Sequence, residues 1–171
     1  MRVTLPEPEH PMARPSNEAV RAVRRPSTHV SGAAPDPLSR FLSPWTEHAY
    51  ALMRVIVGIA FLFHGLQKLF GVLSDSRPPV GSQAWFGGVI ELFAGAAIAL
   101  GLFTAWAAFL ASGEMAVAYI QKHWKLAFDE GFFPIVNKGE LALVFCFLFL
   151  FIACRGGGRW SLDAALRKSR R

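Results

Sequence analysis

Besides Arg54, five ionisable side chains interrupt the apolar blocks of this 171-residue chain: His64, Lys68, Glu91, Glu114 and Glu140. A lysine and a histidine among three carboxylates suit proton transfer or the gripping of a ligand's polar head, since each group can exchange a proton with a neighbour or a bound oxygen. His64 and Lys68 are four residues apart and would share one helix face. Arg54 falls with them in a sector of roughly 80°, beside Gly58 and Gly65, at about 100° per residue. A structural role competes with the chemical one. Buried ion pairs also fix register between helices, and border residues such as Lys68 and Glu140 can snorkel into water. No metal site is expected, because only His64 of the five histidines lies in an apolar run and no zinc-type ligand spacing occurs.

Tyr50 to Phe70 is apolar except at Arg54, His64, Gln67 and Lys68. As a helix rising about 1.5 Å per residue, it spans roughly the 30 Å of a bilayer core. Three more blocks follow, the second with Glu91 as its one charge and the third with Glu114. None alternates with a period of two, which excludes strands. The pattern predicts an all-α fold: an integral membrane four-helix bundle, antiparallel, with helices at about 48–70, 85–101, 104–121 and 138–154. Gly87, Gly95 and Ala99 recur with Glu91 at spacings of four, and Ala107, Ala111 and Ala118 lie near Glu114, so both faces permit close helix approach. Gly101 is expected to end the second helix in a tight turn. Residues 122–137 are expected to lie along the interface with Trp124, Phe128, Phe132 and Phe133 inserted. In that topology the five ionisable groups share the outer half of the bundle and form one buried polar cluster, while Arg54 stands near the opposite end.

The formal charge is +6, yet residues 50–154 hold six Lys/Arg and six Asp/Glu. The surplus lies in the tails, which argues against nucleic acid as a partner and places both termini in the cytoplasm. Residues 1–45, rich in Pro and Arg, are expected to be a disordered tail; 46–165 form the membrane domain and 166–171 a basic end. No short apolar core with a cleavage site follows Met1, so no secretory signal is expected, and Met12 is an alternative start. Cys146 and Cys154, eight apart and so about 12 Å along a helix axis, cannot bridge within it and read as buried small apolar residues.

The segments RVIVGIAFLFHGLQKLFG, WFGGVIELFAGAAIALGLFT and NKGELALVFCFLFLFIACRGGGRWSLD resemble the DoxX family of small four-helix membrane proteins across residues 50–165. By that resemblance Arg54, His64, Lys68, Glu91, Asn137 and Glu140 sit at family motif positions. The resemblance implies a subunit or accessory of a quinone-linked membrane oxidoreductase system in the bacterial cytoplasmic (inner) membrane. The sequence has no haem pair, flavin motif, iron–sulfur cysteines or CxxC. No cofactor is therefore expected to be intrinsic; a quinone would come from the membrane and electrons from a redox partner protein. The alternatives are a non-catalytic membrane scaffold and a small-solute or proton permease, which with four spans would require a homodimer.

Overall fold

The apolar blocks fold as helices, and no strand forms among the described residues. The computed structural model describes residues 36–74, 76–126 and 128–169. The expected disordered tail lies outside these up to residue 35; of its remainder, Pro37–Leu42 is helical and Ser43–Trp45 is a 3-10 turn.

Helix α1 (Thr46–Phe70) ends at Gly71, whose φ of 72° is a left-handed conformation that glycine adopts without a Cβ penalty. Helix α2 (Gln83–Leu100) starts where the Ser82 side chain accepts from Trp85 N–H, and it ends at Gly101 with φ 71°. Only two residues separate Gly101 from α3 (Thr104–Ala118). Its α geometry stops before residue 121, but the backbone continues as a π turn through Trp124. Helix α4 (Glu140–Arg155) follows a connection that holds a 3-10 turn at Glu130–Phe132 and one helical turn at Pro134–Asn137, and in which Trp124 meets the rings of Phe128 and Phe132. Helix α5 (Leu162–Ser169) runs across the expected boundary at 165/166 into the basic end, where no helix was expected.

Pro37–Phe70 and Gln83–Leu100 are long and apolar enough to cross a membrane, with mean hydropathies of 1.8 and 1.5. The 15 residues of α3 and 16 of α4 fall short of that length. Large apolar side chains face outward along all four, among them Ile56, Phe93, Phe109 and Phe147, whereas the fully buried ones are few: Phe61, Ile98, Phe149 and Ile152. Such a surface suits lipid rather than water.

Without a hydrophobic drive between helices in lipid, close contact must come from shape. Glycines supply it between α1 and α2. A Cβ built on Gly58 would lie 2.5 Å from the Ala99 nitrogen, and one on Gly95 2.5 Å from the Leu62 nitrogen; one on Gly65 would strike the Leu92 backbone. The pairs 58/99, 62/95 and 65/92 show the two helices running antiparallel. Elsewhere aromatic rings fill the interior, with Phe61 4.6 Å from Phe149 and Phe145 stacked 5.4 Å from Phe149. Between α3 and α4, Ser112 donates to the Cys146 carbonyl at 2.8 Å. Cys146 is half-buried but Cys154 is exposed, which corrects its expected burial.

The glycine contact yields one expected result. Gly65→Ala would force α1 off the α2 backbone, which cannot yield as a flexible side chain can. The cost should lie at the upper end of the about 1–3 kcal/mol typical of overpacking. A thermal melt in detergent would read it; an unchanged melting point would show that the helices do not pack this closely.

Candidate functional site

Lys68 occupies the last turn of α1, and its stem crosses Gly88, where a Cβ would lie 2.9 Å from the lysine's own Cβ. That missing side chain opens the way to Glu91 on α2. Lys68 Nζ donates to Glu91 Oε1 at 2.7 Å. The glutamate side chain is only 3% exposed and the lysine's 33%, so the pair is sealed on one side and reachable on the other. Glu91 Oε2 is buried without a hydrogen-bond partner among the described residues.

Glu114 approaches from α3. Its Oε1 is 3.0 Å, and Lys68 Nζ 3.9 Å, from the point a Gly87 Cβ would occupy. The ammonium and the second carboxylate thus face each other across the gap that Gly87 leaves. Gly87 opens this site rather than closing a helix contact. Glu114 Oε2 is also buried and unpartnered among the described residues. One ammonium faces two carboxylates.

His64, one turn before Lys68, is half-buried and packs edge-on to Phe145 with ring centroids 6.2 Å apart. It lines a separate hollow of about 150 Å³ beside Val72 and Leu73. Glu140 stays outside the group: it is exposed in the first turn of α4, where the helix dipole favours an acid. Asn137 shapes the turn into α4, donating to the Gly131 carbonyl at 2.9 Å and accepting from Gly139 N–H at 2.8 Å. No group of three or more metal-ligating side chains occurs among the described residues.

The ammonium and the Glu114 carboxylate line the polar end of a groove of about 680 Å³ along α2 and α3. Its walls are apolar, including Ile90, Trp106, Phe109 and Val117. Gln83 donates to Gln121 at its mouth, near Lys122. Beside the groove, a Cβ on Gly113 would meet nothing within 4 Å. Chemically, the groove offers a hydrogen-bond donor and an acceptor at the end of an apolar slot. The sequence reading missed it because the only local signal, Gly87, fits helix packing equally well.

The opposite end of the fold is a latch. Arg54, with no exposed surface, donates to the carbonyls of Ile98, of Ala99 (2.8 Å) and of Trp160 (2.8 Å). It thereby caps the carbonyl end of α2 and holds the Arg159-Trp160 segment. Tyr50 donates to the Gly156 carbonyl at 2.5 Å. Asp163 accepts from Phe103 N–H and Thr104 N–H, both at 2.9 Å, and from the Thr104 hydroxyl at 2.7 Å, so it caps α3 from a distant part of the chain. Burial pushes the Asp163 carboxyl up, but the hydrogen bonds from Thr104 and Phe103 outweigh it and hold the group below the usual carboxylate range. The carboxylate that caps α3 is therefore ionised at neutral pH.

Helices throughout the described residues, an apolar exterior and a charge pair between two of the helices suit a membrane protein. The chain belongs to the DoxX family, whose model matches residues 49–124. An uncharacterized protein of Haemophilus influenzae is 37% identical over 128 residues, covering 71% of this chain and 93% of that protein. An uncharacterized membrane protein of Mycobacterium tuberculosis is 27% identical over 153 residues, covering 81% of this chain and 94% of that protein. No solved structure matches.

Proposed function

We propose that this DoxX-family protein crosses the bacterial cytoplasmic membrane four times as an antiparallel bundle, with both tails in the cytoplasm. In it the chain serves as a subunit or accessory of a quinone-linked oxidoreductase system. The groove along α2 and α3 is the observation that carries the reading: apolar walls ending at Lys68 and Glu114 fit a molecule with an apolar tail and an oxygen-bearing head. In that pose the ammonium donates to a head-group carbonyl and the carboxylate receives a hydroxyl. Electrons come from a partner protein. The topology is supported by the twelve Lys/Arg residues of the tails and by the latch, which joins the start of α1 to the ends of α2 and α4.

Purification from native membrane followed by solvent extraction and mass spectrometry tests the ligand. The wild-type protein should carry a quinone, and Gly113→Leu, whose side chain starts from open space in the groove wall, should lose it. A quinone-free wild-type protein would overturn the reading. Cysteine labelling of the 71–83 loop tests the topology, and labelling from the cytoplasmic side would invert it.

A further inference from the structure

The site along α2 and α3 holds an imbalance that ligand binding alone does not use. Lys68 neutralises one carboxylate, yet Glu91 and Glu114 both face it, and each keeps a buried oxygen without a partner among the described residues. Two adjacent carboxylates beside one ammonium leave a net negative charge in an apolar setting, which is costly unless a proton or cation joins them. Glu91 is already hydrogen-bonded to the lysine at 2.7 Å and is almost wholly buried; Glu114 lines the groove.

We propose that Lys68, Glu91 and Glu114 form a proton-exchange site in which Glu114 holds the extra proton and passes it to or from an oxygen of the groove's occupant, Lys68 being shared between the two acids. The step is a proton transfer: the Glu114 O–H bond breaks as a head-group O–H forms, or the reverse. When Glu114 gives up its proton, the ammonium turns toward it across the space that Gly87 leaves. This rests on the groove being a ligand site. The other charged groups nearby are His64 on α1, one turn from Lys68, and Lys122 at the groove mouth after α3. Helix α4 presents Phe145 to His64, and its own charged residues, Glu140 and Arg155, lie at its two ends.

A hydrophobic carbodiimide, dicyclohexylcarbodiimide, tests the assignment, because it adds only to a protonated carboxyl and enters from lipid. Membranes holding the full chain would be treated at about pH 5, where ordinary carboxyls begin to protonate, and near pH 7, and adducts mapped by peptide mass spectrometry. The expected result is an adduct on Glu114 near neutral pH that fades as pH rises, with Glu91 unmodified. Labelling of Glu114 only in acid, or of Glu91 in its place, would overturn the proposal. Glu91→Gln removes the competing negative charge while keeping an acceptor oxygen, so Lys68 should hold Glu114 ionised and cut its labelling several-fold; unchanged labelling would disprove the sharing of the lysine. A short-chain quinone added first separates the two readings. Protection of Glu114 supports both, whereas an adduct that forms regardless keeps the proton site and removes the quinone.

Discussion

Arg54→Met is expected to cost about 3 kcal/mol or more, because hydrogen bonds from a charged donor contribute about 1.5–3 kcal/mol each and this guanidinium donates to the carbonyls of Ile98, Ala99 and Trp160. Total stability of a protein is only about 5–15 kcal/mol. The loss is large for a physical reason: the carbonyls of Ile98, Ala99 and Trp160 would stay buried with their partner gone. Arg54→Lys should rescue little, since one ammonium cannot reproduce a planar fork that bonds α2 with one nitrogen and the Arg159-Trp160 segment with the other. Both variants should also release that segment, so limited trypsin digestion at Arg159 should quicken as the melting temperature falls. A melting point within about 2 °C of wild type for Arg54→Met would show that the latch contributes little.

That latch marks how far the sequence could be read. The four apolar blocks were legible because an apolar run of fixed length has few uses, and helix ends at Gly71 and Gly101 follow from left-handed backbone that glycine favours. Lys68 and Glu91 were legible as members of one cluster because both interrupt apolar runs at similar depth, but depth did not choose between Lys68 and His64 or among the three acids. Arg54's role was not, because its partners are main-chain carbonyls, which every residue has. The same holds for Asp163, which caps a helix 59 positions earlier in the chain. Glu140 shows the opposite error: similar depth placed it with the other acids, but depth does not fix which way a side chain points around its helix, and it is exposed. The groove depends on how far apart α2 and α3 lie, a quantity no single-residue pattern encodes.

Lys68→Met is expected to be the most damaging single change at the site. It leaves Glu91, 3% exposed, without its cation and with Glu114 nearby, and removing one member of a buried pair costs about 3–5 kcal/mol in soluble proteins. In a bilayer the figure falls toward the lower end, since unfolded helices in the membrane also find polar partners. Glu91→Gln should be milder because the amide oxygen can still accept from Lys68. The double change Lys68→Met with Glu91→Leu removes both charges together, and it should recover most of the stability that Lys68→Met loses, as replacing a whole buried pair by apolar groups is often neutral. Melting curves of the wild type, Lys68→Met, Glu91→Leu and the double variant would give the coupling energy directly. Bound quinone measured on the same four samples then divides structure from chemistry. If the double variant is stable but empty, the lysine serves the ligand; if it is stable and still carries quinone, the pair does nothing beyond fixing the register of α1 against α2.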